Sequence, residues 1–197
     1  MVTNSVYGRC TGVLIDPRTV LTAAHCLYSK RTARFVRPQS VHVLLGYDRG
    51  DYGFHTVAES FEIGHGYDPE RSEATAGSDW VVLSLAQAAP DTFRPLPRAQ
   101  SWQTEQTVFA AGFAQQRAEI LTRTPPCVIV SEVASDLIVS DCDVSHGLSG
   151  GPLIDPVAQS VIAIQVAVTT VGDRRYAVSV PVAGLPLPVV PDPDATN

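Results

Sequence analysis

The chain is built from short apolar runs that are repeatedly interrupted. TGVLI (11–15), VHVLL (41–45), FHTVAESFEI (54–63) and WVVLSL (80–85) occupy the first half. TVFAAGF (107–113), CVIVSEV (127–133), LIVSD (137–141), SVIAIQVAV (160–168) and RYAVSV (175–180) follow. Val, Ile and Thr dominate these runs, and Gly, Pro or Asp separate them. Fifteen prolines and fourteen glycines over 197 residues leave little room for long helices. Many β-prone runs with turns between them indicate an all-β sandwich or barrel. The one helical patch is short, Thr22 to Lys30. A Pro-rich stretch in the middle reads as a connector, and no repeat relates the two sides. The expected organisation is a β-unit over residues 1–88, a connector over 89–105, a second β-unit over 106–184 and a Pro-rich tail over 185–197.

Composition limits what such a chain can bind. The formal net charge is −6, and no basic run exceeds Lys30-Arg31. A cationic face for nucleic acid is therefore not expected. No apolar run reaches the length that spans a membrane as a helix. The opening MVTNSVYGRC lacks the charged and apolar regions of a signal peptide, so the sequence is expected to start at the mature protein. The four cysteines fall in two separated pairs, with no CxxC and no His at zinc-ligand spacing. The expected bridges are Cys10–Cys26 and Cys127–Cys142, which imply an oxidising compartment; four buried free thiols are the alternative. The second bridge has a geometric basis. Cys127–Val133 and Leu137–Asp141 flank Ala134-Ser135-Asp136 almost symmetrically, so the two sulfurs would meet across a hairpin.

One stretch carries chemistry: GLSGGPLI, Gly147 to Ile154. A serine nucleophile needs an imidazole to take its proton, a carboxylate to orient that imidazole, and backbone N–H groups to meet the oxyanion. GxSxG also marks the nucleophile elbow of α/β-hydrolases, where the catalytic His follows the Ser. No histidine lies after Ser149, so that reading fails. Of His25, His42, His55, His65 and His146, His25 has the most rigid setting: an apolar strand ends at Thr22, two alanines follow, and Cys26 adjoins it. His42 and His55 alternate with apolar strand residues, His65 sits in a Gly-rich loop, and His146 is too near Ser149 in sequence to face it. Asp48, Asp51 and Asp68 lie in loops. Asp79 is the last polar residue before WVVLSL, a place for a desolvated, hydrogen-bonded carboxylate. Taken alone it reads better as a surface Asp opening a strand; TAAHC and GLSGGPL beside it reverse that preference.

The stretches CTGVLI (10–15), TAAHC (22–26), SDWVVLSL (78–85) and GLSGGPL (147–153) together resemble the trypsin-like serine peptidases of the chymotrypsin fold. The resemblance covers roughly residues 10 to 180 and preserves the family's His, Asp, Ser order. It implies two packed six-stranded Greek-key β-barrels with the site in the cleft between them. It implies His25 as base, Asp79 as orienting carboxylate and Ser149 as nucleophile, with the N–H groups of Gly147 and Ser149 as oxyanion hole. It also places Cys10 at the position of the His-loop disulfide partner. Leu148 stands where trypsin and chymotrypsin carry Asp, so no pairing with a newly cut N-terminal amine is expected; main-chain hydrogen bonds would hold the hole open. DCDVSHGLSGGPL is similar to bacterial members, including glutamyl-endopeptidase-like peptidases. Only nine residues precede Cys10, so the family's first strand is expected to be missing or trimmed.

For specificity the resemblance gives conflicting signals. Asp143 lies six residues before Ser149, where trypsin binds a basic side chain. Gln165 falls near the position of a glutamyl-endopeptidase His. Val166, Ala167 and Val168 form the expected edge for substrate backbone, and Val168 narrows the first pocket. The implied protein is a secreted or periplasmic serine endopeptidase acting on protein or peptide substrates, monomeric, with no metal and no cofactor. A catalytically silent binding module on the same fold, or an esterase using the same triad, are the other readings.

Overall fold

The computed structural model describes residues 1–4, 8–133, 137–145 and 147–186. The expected turn 134–136, His146 and the tail from 187 onward lie outside the described residues. Among the described residues there is no α-helix, and so none long and apolar enough to cross a membrane.

Nine strands precede the connector: β1 (Val2–Asn4), β2 (Arg9–Cys10), β3 (Val13–Asp16), β4 (Thr19–Thr22), β5 (Tyr28–Ser29), β6 (Arg34–Phe35), β7 (Val41–Leu45), β8 (Phe54–Ile63) and β9 (Val81–Leu85). Seven follow it: β10 (Thr107–Gly112), β11 (Thr122–Arg123), β12 (Cys127–Val133), β13 (Leu137–Ser140), β14 (Pro152–Asp155), β15 (Ser160–Val171) and β16 (Arg174–Pro181). The first sheet runs β2-β1-β7-β8-β9-β4-β3 and the second β11-β10-β12-β13-β16-β15-β14. Strands β5 and β6 form a separate hairpin.

The second sheet closes. Phe109 and Ala110 of β10 pair with Ile154 and Leu153 of β14, so six strands make a barrel. The first sheet departs from the expected second barrel. Its edge strands β2 and β3 are joined by Thr11 and Gly12 alone, which forces the sheet to curl, but no pairing joins them among the described residues. Side chains fill the curl instead, with Val2, Leu14 and Val20 in one buried cluster. The opening residues form one short strand, since β1, three residues long, pairs with both β2 and β7. One further expectation is corrected. The helical patch is only a 3-10 turn over Ala24–Leu27, followed directly by β5. The turn ends where Tyr28 becomes extended, and Tyr28 and Ser29 pair with Phe35 and Arg34 as a hairpin in place of a second helical turn.

Strand periodicity explains where the site lies. On β4, Val20 points into the core of the first sheet and Leu21 into a cluster shared by the two sheets. On β9, Val81, Leu83 and Leu85 face the first core, and Val82 the shared cluster. All four residues of β4 are buried, the two threonines at its ends as well as Val20 and Leu21. The second sheet contributes Val161, Ile164, Val166, Val180 and Val182 to the same cluster. His25 follows β4 and Asp79 precedes β9, so both emerge at the seam between the sheets. The connector is pinned there too, by Leu96 N–H to Leu14 O and Ala99 N–H to Val161 O.

Both expected disulfides are present, Cys10–Cys26 and Cys127–Cys142. The second bridges the open end of the β12–β13 hairpin, where Asp141 N–H donates to Val128 O. Closing a loop of this size contributes about 3 kcal/mol in the chain-entropy picture. The double variant C127A/C142A should therefore melt about 6–12 °C lower by calorimetry. A loss under about 2 °C would contradict that role for the bridge.

Candidate active site

Two alanines with no solvent exposure, Ala23 and Ala24, carry the chain from β4 to His25 with no bulk to accommodate. Asp79 arrives from the other side, after a 3-10 turn over Ala76–Ser78. Its carboxylate holds His25 at two points. One oxygen accepts the His25 backbone N–H at 2.8 Å, and the other lies 2.6 Å from the ring Nδ1. With the Nδ1 proton on that bond, Nε2 is left as an acceptor. The Asp79 side chain is 6% exposed and the His25 side chain 33%, so the carboxylate is shielded while the ring remains reachable. Behind them sits Tyr67. Its hydroxyl is shielded from solvent and makes no hydrogen bond of normal geometry. Burial, then the nearby negative charge of Asp79, raise its pKa, which keeps the phenol neutral.

Ser149 enters from the second sheet on a loop pressed against the first. The Ser149 carbonyl accepts from Thr11 N–H at 2.9 Å. The Thr11 hydroxyl donates to Gly147 O at 3.1 Å and accepts from Phe113 N–H at 2.9 Å. The Thr22 hydroxyl in turn donates to Thr11 O at 2.7 Å. Glycine is required where the backbones touch. Gly150 has φ +74°, and a Cβ there would lie 2.1 Å from Thr22 Oγ1 and 2.3 Å from Thr11 O. Gly147 has φ +95°, and its Cβ would lie 2.3 Å from Phe113 O. Gly150 N–H donates to Gln165 O and Gln165 N–H to Gly151 O, which fastens the loop to β15. Among the described residues, neither Gly147 N–H nor Ser149 N–H has an acceptor. Leu148 is buried against Cys142, Val144 and Leu153 in the barrel core, so an apolar contact occupies the position of the absent Asp.

His25, Asp79 and Ser149 line one cleft of about 480 Å³, together with Gln165, Val166, Ala167 and Val168. A register shift between Gln165 and Ala167 leaves Val166 as an extra residue, a bulge that re-aims the rest of β15 along the cleft. Asp143 is exposed and is not among the residues lining the cleft. The Gln165 amide nitrogen and the Ser179 hydroxyl opposite it are buried with no hydrogen-bond partner among the described residues. His42 and His55 stack on each other on β7 and β8, and His65 lies in a turn; none of them lines the cleft. Thr11 and Tyr67 are the neighbours that sequence reasoning did not single out. Thr11 lies inside CTGVLI, but nothing in that motif signals a side-chain contact 136 residues away. Cys10, His25 and Cys26 are the only three potential metal ligands clustered among the described residues, and both sulfurs are committed to the disulfide.

Known proteins of similar shape place the chain. Human heparin binding protein superposes with a TM-score of 0.73 at 20% identity, covering 92% of this chain and 84% of that one. A Glu endopeptidase gives 0.69 at 19%, covering 88% and 80%. A thermostable serine protease, AL20, from an extremophilic microorganism gives 0.73 at 16%, covering 91% and 88%. At these identities the likeness establishes the chymotrypsin-like fold. The family model of the trypsin-like peptidase domain matches residues 10–164, so the chain belongs to the trypsin-like peptidase family.

Proposed function

We propose that the chain is a serine endopeptidase in which Ser149, His25 and Asp79 act as one catalytic unit. The observation that carries this reading is the two-point hold of Asp79 on His25, inside the cleft that Ser149 also lines. Ser149 Oγ attacks the peptide carbonyl and His25 Nε2 takes its proton. The oxyanion is met by the N–H groups of Gly147 and Ser149. Collapse breaks the C–N bond as His25 returns the proton to the leaving amine. Water then repeats the sequence on the acyl-enzyme. Asp79 fixes the tautomer and favours the imidazolium through a shielded charge. No step calls on a metal or cofactor. The substrate backbone adds beside Val166–Val168, with Gln165 and Asp143 as candidate contributors to side-chain selection. Two disulfides support an extracytoplasmic, secreted or periplasmic setting.

A fluorophosphonate probe should label the wild type and not Ser149→Ala. Equal labelling of both, or no labelling with bound peptide intact, would favour a silent binding module; ester turnover without peptide turnover would favour an esterase. Ser149→Ala and His25→Ala should each lower kcat on the order of 10⁴- to 10⁶-fold. Because a protonated imidazole cannot accept the serine proton, kcat/KM should fall about tenfold per pH unit on the acid limb. A flat profile between about pH 5 and 8 would count against His25 as base. Thr11 is a positioning residue in this scheme. Thr11→Val should lower kcat roughly 10- to 100-fold with little change in KM, weaken a peptide boronate in parallel, and be rescued by Thr11→Ser.

A further inference from the structure

The cleft does not stop at His25. A second hollow of about 470 Å³ shares His25, Tyr28 and Lys30 with it and extends past the Cys10–Cys26 bridge. Its wall carries Arg9, Lys30 and Arg31 and, among the described residues, no carboxylate. Arg9 is paired with Glu119. Lys30 and Arg31 are exposed at the tip of the β5–β6 hairpin, and neither has an acidic partner among the described residues. In a chain of net charge −6 this is a local reversal of sign. The opposite end differs: Glu73 lines both the cleft and the neighbouring groove, where Asp141 also lies.

Which part of a substrate meets these cations follows from the proposed reaction, on which this inference rests. The acyl carbonyl sits at the N–H groups of Gly147 and Ser149. The leaving amine must lie at His25, which protonates it. The second hollow includes His25 but nothing from the Gly147–Gly151 loop or β15. It therefore receives the chain on the amine side of the broken bond. We propose that this hollow is a leaving-group subsite selecting aspartate or glutamate within about three residues after the scissile bond, the reach of a short extended segment. Lys30 and Arg31 supply the charge. Both are solvated, so the selection is modest and sensitive to salt.

The test uses internally quenched peptides identical before the cleaved bond and carrying Asp, Ala or Lys at successive positions after it. Wild type should cleave them in the order Asp, Ala, Lys, with kcat/KM for Asp over Lys of roughly three- to tenfold. That ratio should shrink as salt rises from about 0.05 to 0.5 M. The double variant K30E/R31E should invert the order, and K30Q/R31Q should flatten it. Arg123→Glu, on β11, should leave the ratio as in wild type. Ser149-dependent cleavage with the same Asp/Lys ratio in wild type and K30E/R31E would overturn the subsite and leave the peptidase reading intact. Absence of any Ser149-dependent cleavage would overturn the peptidase reading and the subsite with it.

Discussion

The structure depends on one close approach, that of the Gly147–Gly151 backbone to Thr11 and the end of β4. Three hydrogen bonds converge on Thr11 from the second sheet: from its own N–H to Ser149, from its hydroxyl to Gly147, and onto its hydroxyl from Phe113. A fourth, from Thr22, holds the Thr11 carbonyl within the first sheet. Thr11 is 2% exposed, so these bonds form away from competing water. The shared apolar cluster beneath them gives the two sheets their adhesion, whereas the Thr11 bonds give them their register.

Electrostatics then separates the roles of the two polar side chains from the first sheet. Asp79 spends both oxygens on His25, one on the main chain and one on the ring. The ring therefore cannot turn without losing a bond in a shielded place, where an unmade bond is costly. In trypsin the residue before the serine is ionic and tied to activation. Here Leu148 occupies barrel core, and the loop conformation follows from packing and from Thr11.

How much of this was readable beforehand differs by element. The strands VHVLL and FHTVAESFEI match β7 and β8 residue for residue, because each has a core face and a complementary half-exposed face. The hairpin bridge was readable because cross-strand partners are nearly equidistant from a turn. The patch Thr22–Lys30 misled, since its helical composition is overruled at both ends by strand pairing, Thr22 in β4 and Tyr28–Ser29 against Arg34–Phe35. PLID was passed over as a strand, although it becomes β14 and closes the barrel by pairing with β10. The incomplete closure of the first sheet was also hidden, because a seam filled by side chains leaves the same apolar pattern as a hydrogen-bonded one. Within the site, His25 and Ser149 stood out through their local settings, and Asp79 only in company with TAAHC and GLSGGPL. Thr11 and the cationic hollow did not, because each acquires its meaning only when chain segments meet.

The absence of side chains at positions 147 and 150 reaches beyond local geometry. Any larger residue there would collide with backbone or with the Thr22 hydroxyl, so this part of the protein offers natural variation almost nothing to act upon. Diversity among descendants of such a chain would have to accumulate in the surrounding walls, on the bulged strand at one end and the β5–β6 hairpin at the other. The glycine loop would stay fixed while the walls around it changed.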